Sequence, residues 1–575
     1  MLSISPRFLP GLRTGVLLSS LFAIALLSGC SGGTAAFDDD AATSAQQRWN
    51  LPELRFTEDG LPHPDILAER QVLHRGNGSQ PQGLDPHLTE GVPDANVQRD
   101  LFEGLVSAGP DVVLGPGVAE RWEISEDGTR YVFHLRRDAK WSNGEAMTSA
   151  DWVYSFRRVL DPQTGSKYAM ILSPIVNARQ VMGGELPPEQ IGVTALDDYT
   201  LEIRLNAPAP YFLELLTHNS AYPVHRASVE RHGDAHARAG NLVSNGAYRL
   251  EELVMQSHIR LVRNPHYYDN HRTIIDEVYF YPIEDQAAEL KRYRANELDM
   301  TYEVPNAQFD WISANLGDEL TVSTYFGTYY FGFNTSRAPF DDIRVRQALA
   351  LTIDRDIITD KLTRFGEVPA YSFTPPGVPG FDYASVQPEW AGWSQQQRNE
   401  YARELLAQAG FDEANPLALE IRYNTHQNHK KIALGIAAMW KQALGVRATL
   451  INEEFRVFLA NRRQRSLTQV VRIGWIGDYL DPTNFLDLYH SQNAQNDVAY
   501  EEPRYDALLA QAAVTADPAQ RMRVLEEAER TLLGDYPIAP IYTYVSKRVV
   551  KPYVRGWQPN ASDHHRSRHM YILKH

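Results

Sequence analysis

The only cysteine in the chain is Cys30, and its position decides what can hold the rest together. Arg7 and Arg13 precede an apolar run from Val16 to Leu27, which ends in Leu27–Ser28–Gly29–Cys30. A basic head, a short apolar core and small residues at the end read as an export signal. The run is too short for a comfortable membrane span. Small exported proteins often rely on disulfides. A single cysteine closes none within the chain, so this fold must rest on its apolar core. At 575 residues there is material for a large core and two to four domains.

The Leu-Ser-Gly-Cys ending resembles a bacterial lipobox. That resemblance implies a signal peptide over residues 1–29 and lipidation of Cys30. Acyl chains there would hold the protein to a membrane without spanning it; the other reading is an ordinary signal with an incidental cysteine. Residues 30–47, mostly Gly, Ala, Ser, Thr and Asp, read as the anchor and a flexible linker.

Formal net charge is −16, spread along the chain without an acidic tail. The missing clusters of Lys and Arg argue against nucleic acid as a partner. Strand and helix patterns are mixed. Tyr131, Phe133 and Leu135 alternate with polar residues, as do Leu201, Ile203 and Leu205, which predicts strands. Tyr401, Leu405, Leu406 and Ala409 follow a helical period ended by Gly410; Ile432, Ile436, Trp440 and Leu444 follow another ended by Gly445. Asp517–Pro518 opens a further helix that should stop at Gly534. The predicted class is α/β.

Enzyme signatures are missing. The sequence has no Gly-x-Ser-x-Gly elbow, no Walker loop and no His-Glu-x-x-His zinc helix. His564, His565, His569 and His575 could suggest a metal, but without paired ligands at helical spacing they read as a solvated tail. We expect no cofactor, no metal and no catalytic residue.

One stretch combines a cation, a large aromatic and an anion. Arg472 to Ile476 is the end of an apolar strand from Val470, broken at Gly477 and followed by Asp478 and the turn at Asp481–Pro482. Extended, Arg472 and Asp478 can stand up to roughly 20 Å apart, and an extended tripeptide is about 10 Å long. The segment could therefore reach both ends of a short zwitterionic peptide. Taken alone, these residues fit a capping Asp and a surface Arg better.

The wider chain carries further motifs in order. They include Gly83–Leu84–Asp85–Pro86–His87, Glu90–Gly91–Val92–Pro93 and Asp100–Leu101–Phe102–Glu103–Gly104–Leu105. Ala139–Lys140–Trp141–Ser142, Asn245–Gly246–Ala247–Tyr248 and the run from Pro339 to Leu349 follow, then Gln387–Pro388–Glu389–Trp390 and the ending Met570–His575. Together they resemble the bacterial periplasmic oligopeptide-binding proteins of peptide ABC importers, solute-binding protein family 5. The likeness covers almost the whole chain after Gln71.

The resemblance implies a two-lobed periplasmic-binding-protein fold, hinged around an interlobe cleft, with an extra domain. Lobe I would combine residues 48–102, 228–327 and 546–575; the extra domain would be 103–227 and lobe II 328–545. By position, Asp478 matches the carboxylate that pairs with a peptide α-ammonium. Arg472 matches a cation for the carboxylate of short peptides. His429, Lys361 and one of Arg462 or Arg463 match cations for other lengths. Val92, Gly474 and Ile476 match positions whose main chain bonds the peptide, and Glu90, Tyr168 and Trp475 match pocket residues. Enterobacterial relatives carry a cysteine pair at the positions of Gly327 and Ile476, and neither is cysteine here.

The expected function is a non-enzymatic receptor, monomeric and lipid-anchored in the periplasm or cell envelope. It would capture short peptides and deliver them to an inner-membrane ABC permease. The alternative within the same fold is a receptor for a murein tripeptide, for which Arg462, Arg463 and Arg465 leave room. An exported peptidase would need a nucleophile or metal site beside Asp478, and the sequence supplies none.

Overall fold

The computed structural model describes residues 49–575 apart from 377–382, 384, 385, 466, 467 and 516. The expectations for the export signal, Cys30 and the linker to residue 47 lie outside the described residues. Three sheets, each with its own apolar core, organise the rest.

The first sheet orders its strands Val72–Gly76, Glu277–Tyr281, His258–Arg263 and Tyr248–Val254, with only the first pair parallel. Its core takes Leu73, Ile259, Leu261, Val278 and Phe280, and also Met570, Ile572 and Leu573 from the end of the chain. Helix α1 (Val92–Leu101) lies beside it. Asp94 in its first turn accepts from the amides of Gln82 and Gly83, at 2.5 and 3.1 Å, which fastens the preceding loop to the helix start. Asp85 in that loop is buried and accepts from Arg158 at 2.6 Å and His236 at 2.9 Å.

The second sheet is antiparallel throughout: Ala119–Ile124, Arg130–Leu135, Thr200–Arg204 and Val193–Asp197. Phe133, Leu201 and Ile203 pack against Trp152 and Phe156 of the helix Ser149–Leu160. That helix begins with a reciprocal cap between Thr148 and Asp151, which satisfies amides that would otherwise be unpaired.

The third sheet has six strands. Its long members are β1 (Leu320–Phe333), β2 (Ala418–Asn424), β3 (Val470–Ile476) and β4 (Ile538–Val549). The order is Val368–Pro369, β4, β1, β3, β2 and Arg447–Glu453. Helix α2 (Gln427–Leu444) buries Ile432, Ile436 and Trp440 and ends at Gly445, whose φ of +71° favours a residue without a Cβ. Helix α3 (Phe455–Arg463) precedes β3. Helix α4 (Pro518–Asp535) starts as expected, with Asp517 accepting from the Gln520 amide at 2.7 Å. It runs one residue past Gly534 and ends with Tyr536 in the left-handed region. Hydrogen bonds from Trp390 and Gln347 to the Tyr536 hydroxyl, at 3.0 and 3.1 Å, hold that residue there.

Strands β1 and β4 are longer than their neighbours and pair twice. Leu320 to Thr324 face Val549 to Val545; after a register shift the ladder resumes at Thr328 opposite Thr543. Val549 packs with Leu290, Tyr293 and Ile312 in a separate small core, whereas Tyr329 and Phe331 belong to the core of the six-stranded sheet. The irregular stretch between them carries Tyr325 and Tyr544.

His564, His565 and His569 are not a solvated tail, contrary to the sequence expectation; His575 alone of the four is exposed. His565 is buried, with Nε2 2.8 Å from Asp563, and its carbonyl accepts from the buried Arg75 at 2.9 Å. His564 contacts Arg99 of α1 at 2.5 Å. The chain end is threaded into the first core by Met570, Ile572 and Leu573, and this draws those three histidines in with it. Among the described residues no group of His, Cys, Asp and Glu is placed to hold a metal ion.

Candidate functional site

Strand β3 forms where expected, over Val470–Ile476, and its two edges differ. It pairs with β1 along its whole length, from Phe333 opposite Val470 to Gly327 opposite Ile476. On the other edge β2 reaches only Val470 and Val471. Among the described strands none pairs with that edge of residues 472–476, so its backbone groups are available for hydrogen bonding. A cavity of about 250 Å³ borders it.

Most of the expected residues meet around this cavity. Arg472, Gly474, Trp475, Ile476 and Asp478 line one wall, and Glu90, Val92 and Tyr168 line the facing side with Arg99 and His218. Arg462 of α3 also lines it and pairs with Asp497 at 2.5 Å. Arg463 turns instead to Glu90, with Nη2 2.8 Å from the carboxylate, and Lys167 binds the same group at 2.5 Å. His429 on α2 stands behind the wall, its Nδ1 3.4 Å from the Tyr329 hydroxyl. Lys361 is exposed on the π-helical turn Ile358–Thr363, away from the lining. Gly327 sits in the ladder, where a Cβ would lie 2.4 Å from Ile476 Cδ1.

The two charges at the ends of the wall are both without a partner of opposite permanent charge. Asp478 has no Lys or Arg within 4.0 Å among the described residues; only His218 approaches, at 3.6 Å. Burial pushes the Asp478 carboxyl up to about 7, against the pull of Arg99 and Asn484. Burial also lowers His218 to about 3, so its ring is neutral at neutral pH and gives Asp478 no counter-charge. Tyr168 stacks on that ring at 4.9 Å. Arg472, at the other end, donates to the Tyr544 hydroxyl at 2.7 Å and lies over the Tyr329 ring at 4.6 Å. Among the described residues no carboxylate comes within salt-bridge distance of it.

Supporting contacts fix the geometry. Asn484 Oδ1 accepts from Trp475 Nε1 at 2.8 Å and from the Asp478 amide at 3.2 Å, so one side chain sets both residues. The turn beyond is held by Asp481, which pairs with the buried Arg521 at 2.7 and 2.9 Å. Gly474 has a packing reason: a Cβ there would lie 2.4 Å from the Tyr544 hydroxyl and 2.8 Å from Arg472 Nη2. Contacts also cross from the second sheet's segment to this turn. The Leu480 amide donates to Glu214 at 3.0 Å, and Tyr211 stacks on Tyr479 at 5.3 Å.

Sequence reasoning missed Arg99, His218, Tyr544 and Asn484. The first two come from segments far from β3 in sequence, and only the fold brings them together. Asn484 lies two residues beyond the marked turn and had a local signal, since Asn beside a turn often bonds backbone amides.

Comparison with known proteins decides the family. Residues 113–497 match the bacterial extracellular solute-binding proteins, family 5 (middle region). The chain belongs to this family. The periplasmic oligopeptide-binding protein OppA of Salmonella typhimurium is 44% identical over 523 residues, which is 90% of this chain and 96% of that protein. The structure of Haemophilus influenzae OppA in complex with RPPGFSPFR superposes with a TM-score of 0.84 at 40% identity, covering 88% of this chain and all of that one. The Escherichia coli murein tripeptide binding protein MppA gives a TM-score of 0.85 at 40% identity, covering 89% of this chain and 100% of that one. Its unliganded open form gives only 0.68 at the same identity, covering 89% of this chain and 99% of that one. The chain as a whole therefore superposes better on the first MppA structure than on the open form.

This family member has the two-lobed periplasmic-binding-protein fold with an extra domain, in an α/β class. It is a binding protein and not an enzyme, as the family's members are.

Proposed function

We propose that the protein is a receptor for short peptides, held extended along the free edge of β3. The peptide α-ammonium pairs with Asp478 and the carboxylate of a short peptide with Arg472. The observation that carries this reading is the pair of unmatched charges at the two ends of one bordered strand edge. An extended peptide adding to a strand edge gains affinity from backbone hydrogen bonds whatever its side chains. Its charged ends then discriminate, because a charge left unpaired in a closed site costs several kcal/mol.

Two lobes and an extra domain act together in this reading. Residues 48–102, 228–327 and 546–575 form lobe I, 103–227 the extra domain and 328–545 lobe II. The register shift between Thr324 and Thr328 lies beside the change from one lobe to the other, and it supports a hinge at that point. Closure over a ligand would create the surface read by an inner-membrane ABC permease. We place the protein in the periplasm, lipid-anchored through Cys30. Fractionation of a Cys30→Ser variant, expected to leave the membrane without loss of affinity, tests the anchor.

A murein tripeptide would bring further carboxylates. Arg462 and Arg463 are already committed to Asp497 and Glu90, which favours peptides without such groups. The deciding experiment uses protein unfolded and refolded to remove bound ligand, titrated calorimetrically with trialanine and N-acetyl-trialanine. Binding of the free peptide alone is expected; equal binding of both would overturn the assignment of Asp478.

A further inference from the structure

A second, smaller chamber of about 80 Å³ adjoins the peptide cavity. The two share Tyr168, Trp475, Asp478 and Gln495, so they meet at the seat proposed for the α-ammonium. The side chain of a peptide's first residue leaves the same carbon as that ammonium. The chamber therefore begins where that side chain begins.

Its chemistry is specific. Asp487, just after the short helix Thr483–Leu486, lines the chamber together with the stacked pair Tyr211 and Tyr479. Among the described residues no cation comes within 4.0 Å of Asp487. Burial pushes its carboxyl up to about 7, with Arg179 pulling the other way. Neighbouring charges are engaged or remote: Asp481 is spent on Arg521, Lys167 binds Glu90, and Arg179 is exposed at the rim. His490, also in the lining, approaches Asp506 at 3.9 Å, and burial holds it below its ordinary value. The chamber thus offers two aromatic walls for an apolar stem and a carboxylate lacking a close counter-charge.

Resting on the peptide reading above, we propose that this chamber takes the first side chain of a bound peptide and that Asp487 makes it selective for a basic one, lysine or arginine. Asp487 is then a specificity-determining residue and not part of the end-recognition machinery.

The test compares Lys-Ala-Ala with norleucyl-Ala-Ala, its uncharged analogue of similar length, and with trialanine, by calorimetry on refolded protein at pH 8. Wild type is expected to prefer the lysyl peptide by about tenfold. Asp487→Asn should erase that preference and leave trialanine affinity unchanged, while Asp487→Glu should keep it. Ala-Lys-Ala should be indifferent to all three residues at 487. A lysyl preference that survives in Asp487→Asn, or an equal loss for every peptide, overturns the proposal. Failure of trialanine to bind wild type would instead overturn the peptide reading itself.

Discussion

Arg463 and Glu90 are 373 residues apart in sequence and are joined through one nitrogen: Arg463 Nη2 donates to both carboxylate oxygens of Glu90, at 2.9 and 2.8 Å. The bond ties α3 to the loop before α1 across the cavity, so it exists only when the two sides are together. Arg463→Ala should weaken binding of peptides of every length alike. Partly exposed pairs contribute about 0.2–1 kcal/mol, so the loss should be up to roughly fivefold. Calorimetry in low and high salt checks it, since salt should shrink the difference between variant and wild type. A loss confined to one peptide length would make Arg463 a direct ligand group.

Asp478 gives a pH dependence with a definite sign. Its carboxyl is raised from 3.8 to about 7 by burial. Without ligand it holds its proton more tightly folded than unfolded, so the stability it contributes is present at low pH and fades as pH rises towards 7. Asp478→Asn should therefore melt higher than wild type at pH 8, by less at pH 5, and about equally only below the carboxyl's ordinary value of 3.8. Peptide affinity in the wild type should move the other way. The ammonium needs the ionised carboxylate, so binding of trialanine should weaken as pH falls below about 7, and Asp478→Asn should bind weakly throughout. A flat affinity profile from pH 8 to pH 5 would separate Asp478 from the ammonium.

Arg472 and Gly474 should fail together. Arg472→Ala is expected to cost tripeptides more than longer peptides, because only a short ligand ends near it. Gly474→Ala introduces a methyl where Arg472 Nη2 and the Tyr544 hydroxyl now meet. It should reproduce the same length dependence with an intact guanidinium. Titration with tri-, tetra- and pentaalanine reads this directly, and a uniform loss in either variant would reduce Arg472 to a structural role.

Arg521 and Asp481 form a buried pair under the binding turn, with side chains 4% and 6% exposed. Arg521→Ala leaves a carboxylate in the interior without its partner, which costs about 3–5 kcal/mol. The melting temperature should fall markedly. Adding Asp481→Asn should recover much of the loss, as removing both charges is far less costly than removing one.

The parts of this molecule that were legible in the sequence are those fixed by neighbours along the chain. Val470–Ile476 is apolar and ends at a glycine before Asp-Pro, so both limits of β3 could be read. Gly445 and Asp517 mark helix ends through backbone geometry that few other residues satisfy. The resemblance to family members then selected Arg472 and Asp478, which local chemistry alone would have left as a surface Arg and a capping Asp. What stayed illegible is convergence. His218 acquires meaning only because Tyr168 stacks on it beside Asp478. Tyr544 matters because a glycine in another strand lets Arg472 reach it. His564 and His565 near the chain end misled for the same reason: their burial is set by Arg75 and Arg99, more than 450 residues earlier.

Ile476 lies over a glycine in the neighbouring strand, and there is no thiol anywhere after Cys30. The strand that would meet the ligand is therefore kept in register by shape. No electron has to leave the protein for the site to assemble, and none returned to it would take the site apart. A thiol reductant strong enough to open every cystine around it would leave this clamp unchanged.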